Sequence, residues 1–261
     1  MLKHIYLRNF NSGARRIPLL DLLSVLQDLE NVELLELDFA QRDDVVDEQE
    51  APAQCRLPNL QILNLKCFCP RMISLFRVPS LRTLILTVPQ GHLSLIAPLS
   101  KMIKASLCVV TVFHCYELRE APWVLFDRPT RFPDYLTWRQ EHLLRVAKFL
   151  AKYMPRVEIV KGFTMMLDAK LMLRMAAGLA LPRLQEISCF LPPSHVDLLL
   201  DVLEARAEGR GHGGKLWKIF VAINGPMSEH TKARLNTVVK DLGITFEKKE
   251  FCLHTLEVVI V

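Results

Sequence analysis

No stretch of this 261-residue chain is apolar for long enough to span a bilayer; the most apolar, Leu171 to Pro182, is short and broken by Arg174. A membrane partner is therefore not expected. The opening residues, MLKHIYLRNF, alternate polar and apolar side chains and lack the apolar run of a secretory signal. There is no Asn-x-Ser/Thr acceptor site, and the cysteines number seven, an odd count without the spacing of a disulfide framework. These absences together point to a reducing compartment, cytoplasmic or nuclear. The net charge of +5 comes from basic residues scattered along the chain, which form no dense stripe, so no nucleic acid is expected as a partner.

Chemical motifs are equally scarce. Cys67 and Cys69 form C-x-C with Cys55 nearby, but no second Cys/His pair follows at zinc spacing, so structural thiols are expected and no metal. Gly209 to Lys215 matches G-x-x-x-x-G-K, yet Leu216 stands where a magnesium-binding Ser or Thr belongs, and the segment runs from helix to strand, the reverse of a phosphate loop. His114 beside Cys115 suggests a nucleophile pair, but Cys115 falls where a repeat places a small buried residue. No G-x-S-x-G is present. The acidic run Asp43 to Glu50 reads as a solvated loop. An enzyme is not expected, and no catalytic residue or cofactor is assigned.

What the chain does contain is a recurring phrase, L-x-x-[LIV]-x-[apolar], clearest at Leu60 (LQILNL), Leu81 (LRTLIL), Leu107 (LCVVTV) and Leu216 (LWKIFV). Taking Leu2, Val32, Leu60, Leu81, Leu107, Val157, Leu184, Leu216 and Leu253 as the starts gives intervals of 30, 28, 21, 26, 50, 27, 32 and 37 residues. Most lie at or near the roughly 20–29 residues of a leucine-rich repeat, and the longest is about two repeats. The copies at Val157 and Leu184 are degraded, with Gly162 and Cys189 at the third apolar position; the copy at Leu216 runs on to Asn224, a usual buried-Asn position.

Amphipathic helices are predicted between the phrases: Pro18 to Asn31; Leu136 to Pro155; Ser194 to Gly209, with Ser194 as N-cap; and Ser228 to Gly243, with Ser228 as N-cap. The expected fold class is α/β: a single leucine-rich-repeat-like solenoid (horseshoe) over 1–261, with irregular repeats, parallel strands on one face and helices on the other.

The stretches IPLLDLLSVLQDLENVELLELD, LPNLQILNL, VPSLRTLIL and LPRLQEIS, with the late GGKLWKIFVAINGPMSEHTKARL, resemble the repeat region of fungal F-box/leucine-rich-repeat proteins over nearly the whole chain. That resemblance implies a non-enzymatic scaffold that presents substrates to a cullin-type ubiquitin ligase, with a Skp-type adaptor as partner if an F-box lies upstream. The chain shows no clear F-box: Ile17 to Leu26 reads as a repeat helix. The alternative is an orphan structural or regulatory scaffold without a ligase link.

Strand alternation turns the third, fifth and seventh residues of each phrase outward. The partner-binding candidates on that face are Tyr6, Arg8, Leu34, Ile62, Lys66, Ile85, Val109, Phe113, Phe163, Phe190 and Phe220. They make either an apolar interaction strip or, where a weak repeat is misread by one residue, part of the core. Tyr116 to Trp138 holds six aromatics and three prolines and reads as an irregular segment; Trp123, Tyr135 and Trp138 either meet a partner or pin that segment to the core.

Overall fold

A computed structural model describes residues 2–9, 24–39, 54–66, 73–89, 95–118, 132–162, 165–209, 213–223, 225–251 and 258–259. The chain divides into two compact units, Met1–Phe113 with Glu117–Trp123, and His114–Tyr116 with Val124–Val261.

In the first unit, strands β1 (His4–Asn9), β2 (Leu34–Phe39), β4 (Ile62–Lys66) and β6 (Thr83–Pro89) lie side by side in that order, every pairing parallel. The short strands β3 (Cys55–Arg56) and β5 (Phe76–Arg77) pair parallel in a separate ladder, and helix α1 (Ile96–Ser106) follows β6. The register aligns Ile5, Leu35, Leu63 and Leu84 in one row, and Leu7, Leu37, Leu65 and Leu86 in the next. From β2 to β6 both rows are buried, with Val32, Leu60 and Leu81 buried ahead of them. The phrase therefore works as read: its three apolar positions all point into the core. Burying each such leucine stabilises the fold by about 1.5–3 kcal/mol.

Strand β7 (Val112–Leu118) contributes residues to both units. The second unit contains, in order, the parallel strands β8 (Ile159–Lys161), β9 (Glu186–Leu191), β10 (Lys218–Ile223) and β11 (Thr245–Phe251), with β12 (Val258–Val259) antiparallel on β11. Its helices are α2 (Phe132–Tyr153), α3 (Ala169–Ala176), α4 (Val196–Ala207) and α5 (Glu229–Leu242).

Two local devices recur. The first is a tight turn of the form apolar-Pro-x-apolar: Leu60 N–H donates to the Leu57 carbonyl (3.3 Å), Leu81 to Val78 (3.1 Å), Val157 to Met154 (3.1 Å) and Leu184 to Leu181 (3.1 Å). Pro58, Pro79, Pro155 and Pro182 each occupy the second position, where a fixed φ pre-forms the turn. The second is a shared acceptor at the head of each strand. The Lys3 carbonyl accepts from Glu33 and Leu34, Glu33 from Gln61 and Ile62, Gln61 from Arg82 and Thr83, and Arg82 from Thr111 and Val112. In the second unit Glu158 accepts from Gln185 and Glu186, and Gln185 from Trp217 and Lys218.

That chain of acceptors corrects the frame at Leu107. Thr111 occupies the place of Gln61 and Arg82, so the phrase begins at Val110 and its inward residues are Val110, Phe113 and Cys115, all buried. Leu107 is instead the left-handed C-cap of α1, with φ 52° and 85% exposure. Phe113 is thus a core residue, not a partner-binding candidate, and Val109 precedes the strand; a shift of three residues exchanges the two faces. The outward residues here are Val112, His114 and Tyr116.

Other differences are local. Among the described residues the last parallel strand is β11, TFEKKEF, in register with β10 from Lys218↔Thr245; of the phrase at Leu253 the described residues are Val258–Val259, which pair antiparallel with β11. Pairing with β10 overrides the low strand propensity of its lysines and glutamates. Phe132 to Trp138 begins α2, where Pro133 is tolerated in the first turn, so this part of the aromatic segment is helical. Ser194 lies within a 3₁₀ turn, Pro193–His195, and α4 has no side-chain cap. Ser228 does cap α5, its Oγ accepting from Thr231 N–H at 3.0 Å, and Gly243 closes it at φ 60°. The predicted first helix shows helical residues at 24–27. Cys67, Cys69, Asn224 and Asp43 to Glu50 lie outside the described residues.

Among the described residues no helix is long and apolar enough to cross a membrane. The thiols of Cys55 and Cys189 are buried, and burial pushes them up to about 11 and about 12 from an ordinary 9.0. They remain protonated at neutral pH and are expected to resist iodoacetamide until the chain is denatured, as mass spectrometry would report. An unfolded thiol ionises first, so the Cys189 contribution to stability is complete below pH 9.0 and is lost as pH rises toward 12.

Candidate functional site

The outward face of the first unit forms three rows across the strands: His4, Leu34, Ile62 and Thr83; Tyr6, Glu36, Asn64 and Ile85; Arg8, Asp38, Lys66 and Thr87. Arg8 is placed on β1 by its backbone. Leu34, Ile62 and Ile85 are half-buried, and Tyr6 is 56% exposed. The middle of this face is polar. The Glu36 carboxylate is nearly buried and accepts from Asn64 Nδ2 at 2.9 Å and Lys66 Nζ at 2.7 Å. Lys66 therefore stands as part of a fixed network.

The second unit gathers more charge. Ile159, Glu186, Lys218 and Thr245 form one row; Ser188, Phe220 and Glu247 form the next, and Phe190, Ala222 and Lys249 a third. The Glu186 side chain is almost fully buried, with Lys161 Nζ 3.5 Å and Lys218 Nζ 3.8 Å from its Oε1. That oxygen accepts no hydrogen bond. Lys218 Nζ also lies 4.8 Å from the centre of the Phe220 ring. His114 and Tyr116, from the residues β7 gives to this unit, meet edge to face, with Tyr116 Oη 3.5 Å from His114 Nδ1. Burial, and then the nearby Lys161 charge, lower the His114 pKa below its ordinary 6.5 against the opposing pull of Glu186. The imidazole is neutral at neutral pH.

The structure places several of the residues singled out in the sequence. His114 and Cys115 are neighbours on a strand and point to opposite faces, His114 outward and Cys115 into the core, so they cannot act as a nucleophile pair. Among the described residues no cluster of His, Cys, Asp or Glu is arranged to hold a metal ion. Phe190 and Phe220 are half-buried on the outward face as expected. Tyr135 and Trp138 sit on α2, and Trp123 and Phe163 lie outside the described residues. A frame that starts at Leu107 assigns His114 and Tyr116 to the inward face. The signal that identifies them is that Val110, Phe113 and Cys115 repeat the spacing of Leu81, Leu84 and Leu86.

No known family's sequence profile matches the chain, and neither a curated protein nor a solved structure is significantly similar to it.

Proposed function

We propose that this chain is a non-enzymatic protein-binding scaffold, a leucine-rich-repeat-like solenoid resembling the substrate-recognition repeats of an F-box protein in a cullin-type ubiquitin ligase. The observation that carries the reading is the row arrangement itself. Strands in matched register present their third, fifth and seventh residues as a regular outward grid that includes Tyr6 and Ile85 in one unit and Phe190 and Phe220 in the other. Such a grid offers contact area and aromatic anchors, which suits recognition of a protein surface.

The test is to replace Tyr6 or Phe220 by alanine and to quantify the proteins that co-purify with the full-length protein. Each variant is expected to lose a specific partner while its circular dichroism spectrum is retained; an unchanged partner set for both would overturn the scaffold reading. The ligase link is tested separately, by recovery of a Skp-type adaptor with the full-length protein. Consistent absence of that adaptor favours the alternative, an orphan interaction protein with no ubiquitin connection.

A further inference from the structure

The Lys161–Glu186–Lys218 cluster is poorly explained as a device for stability. A buried carboxylate costs several kcal/mol unless its lone pairs are well satisfied, and the Glu186 Oε1 accepts no hydrogen bond. Both ammoniums stand at 3.5 and 3.8 Å, beyond good hydrogen-bonding distance. A glutamine or an apolar residue at this position would be cheaper to bury. What the carboxylate achieves is to hold two ammonium groups beside each other on the outward face. One negative charge against two positive charges leaves an excess cation, and the Lys161 and Lys218 side chains keep 39% and 30% exposure. Phe220 lies against them, under Lys218, and His114, close enough to feel the Lys161 charge, carries the exposed Tyr116 edge to face against its ring. Glu247, next to Phe220 on β11, limits the positive region on that side.

We infer that the outward face of the second unit docks an acidic peptide segment of a partner protein, one carboxylate seating between Lys161 and Lys218 and the neighbouring residues lying against Phe220 and Tyr116. Charge complementarity selects this occupant: a basic segment would face two ammoniums, and a purely apolar one would strip water from both without replacing it. The inference rests on the scaffold reading and adds the chemistry of the partner to it.

The experiment is fluorescence anisotropy with a fluorescein-labelled hexaglutamate peptide at low salt, using hexalysine and hexaphosphoserine peptides for comparison. Wild-type protein is expected to bind hexaglutamate saturably, with affinity falling as salt rises. The Lys161→Ala/Lys218→Ala variant should lose about tenfold or more, the scale of a desolvated charge pair. Glu186→Gln should bind several times more tightly, because it removes the competing internal carboxylate; a cluster with only a structural role would not respond in this way. Lys170→Ala/Lys240→Ala, on exposed helix positions, should leave binding unchanged. Thermal melts confirm that each variant is folded, and Glu186→Gln alone suffices if the double variant is not.

No saturable binding by the wild type, equal binding by the folded lysine variant, or selection of hexalysine or hexaphosphoserine without hexaglutamate would each overturn the inference. If these fail while the Tyr6 or Phe220 variants still lose partners, the acidic chemistry falls and the scaffold stands.

Discussion

Replacing Arg206 with leucine is expected to lower the unfolding free energy by about 3–5 kcal/mol, the range for leaving buried polar groups without their charged partner. Arg206 is only 2% exposed, on the apolar side of α4. Its guanidinium donates to five backbone carbonyls: Met175 at 3.2 Å, Ala180 at 3.2 Å, Leu181 at 2.8 Å, Leu184 at 3.2 Å and Gly214 at 3.5 Å. These acceptors lie at the end of α3, in the turn leading to β9 and before β10, so one side chain fixes three connections. Leu181, in the same turn, has φ 46°, a conformation that needs such support.

Burial lowers the Arg206 pKa to about 10, which leaves it fully charged at neutral pH. Lysine in its place would keep the charge but offer three donors from a single atom, and should recover only part of the loss. Urea unfolding followed by circular dichroism measures both variants. A loss below about 1 kcal/mol for leucine would show that water or rearrangement satisfies the carbonyls. Arg234 provides the contrast. It faces Asp197, Asp201 and Glu204 at 3.6, 2.6 and 2.8 Å across α4 and α5, but all four groups are partly exposed, and such pairs contribute about 1 kcal/mol or less. Three acidic partners at the surface count for less than five carbonyls in the core.

Gly162→Ala is expected to be nearly as damaging, at about 3 kcal/mol or more, since strain and a backbone clash combine at one residue. Gly162 has φ +94°, which side-chain-bearing residues rarely adopt, and a Cβ there would run into the carbonyl of Cys115. The obstacle is main chain, so no rotamer change relieves it. The expected signature is a lower melting temperature of the folded protein, and an alanine variant within a degree or two of wild type would refute the close approach. Alanine at Gly209, also at positive φ but with open space around its Cβ position, is the matched control for strain without collision.

Gly162 also shows how far the sequence could be read. The phrase predicts an inward residue at this position, and its absence looks like decay of the repeat. In the fold it is the place where β8 ends and the chain presses against the strand before it. The inward rows Leu35, Leu63, Leu84 and Leu37, Leu65, Leu86 were legible because a period of two in apolar residues has one physical meaning on a strand. Leu107 misled because LCVVTV satisfies the same pattern three residues early, and the feature that excludes it, a non-glycine residue in the left-handed region, has no sequence signature. β11 was missed for the opposite reason: its charges hide a strand that exists by pairing with β10. On the outward face, Lys161, Glu186 and Lys218 could be placed from the alternation alone, but their convergence depends on register between strands 27 and 32 residues apart. Arg206 was visible in principle, as a charge at the spacing of Leu199 and Leu203, yet only the surrounding carbonyls explain it.

The shared carbonyl at each strand head has a consequence for how such a chain can change over time. Because Lys3, Glu33, Gln61 and Arg82 each receive the first two N–H groups of the following strand, alignment is fixed at that point, whatever the length of chain between. Paired strands in the first unit are separated by as few as 21 and as many as 30 residues, and all remain in step. Connecting segments are therefore free to lengthen, shorten or acquire new side chains without disturbing the grid they join. Diversification by insertion carries little structural risk here, whereas a single-residue deletion between the proline turn and the strand would turn every following side chain of that strand to the wrong face.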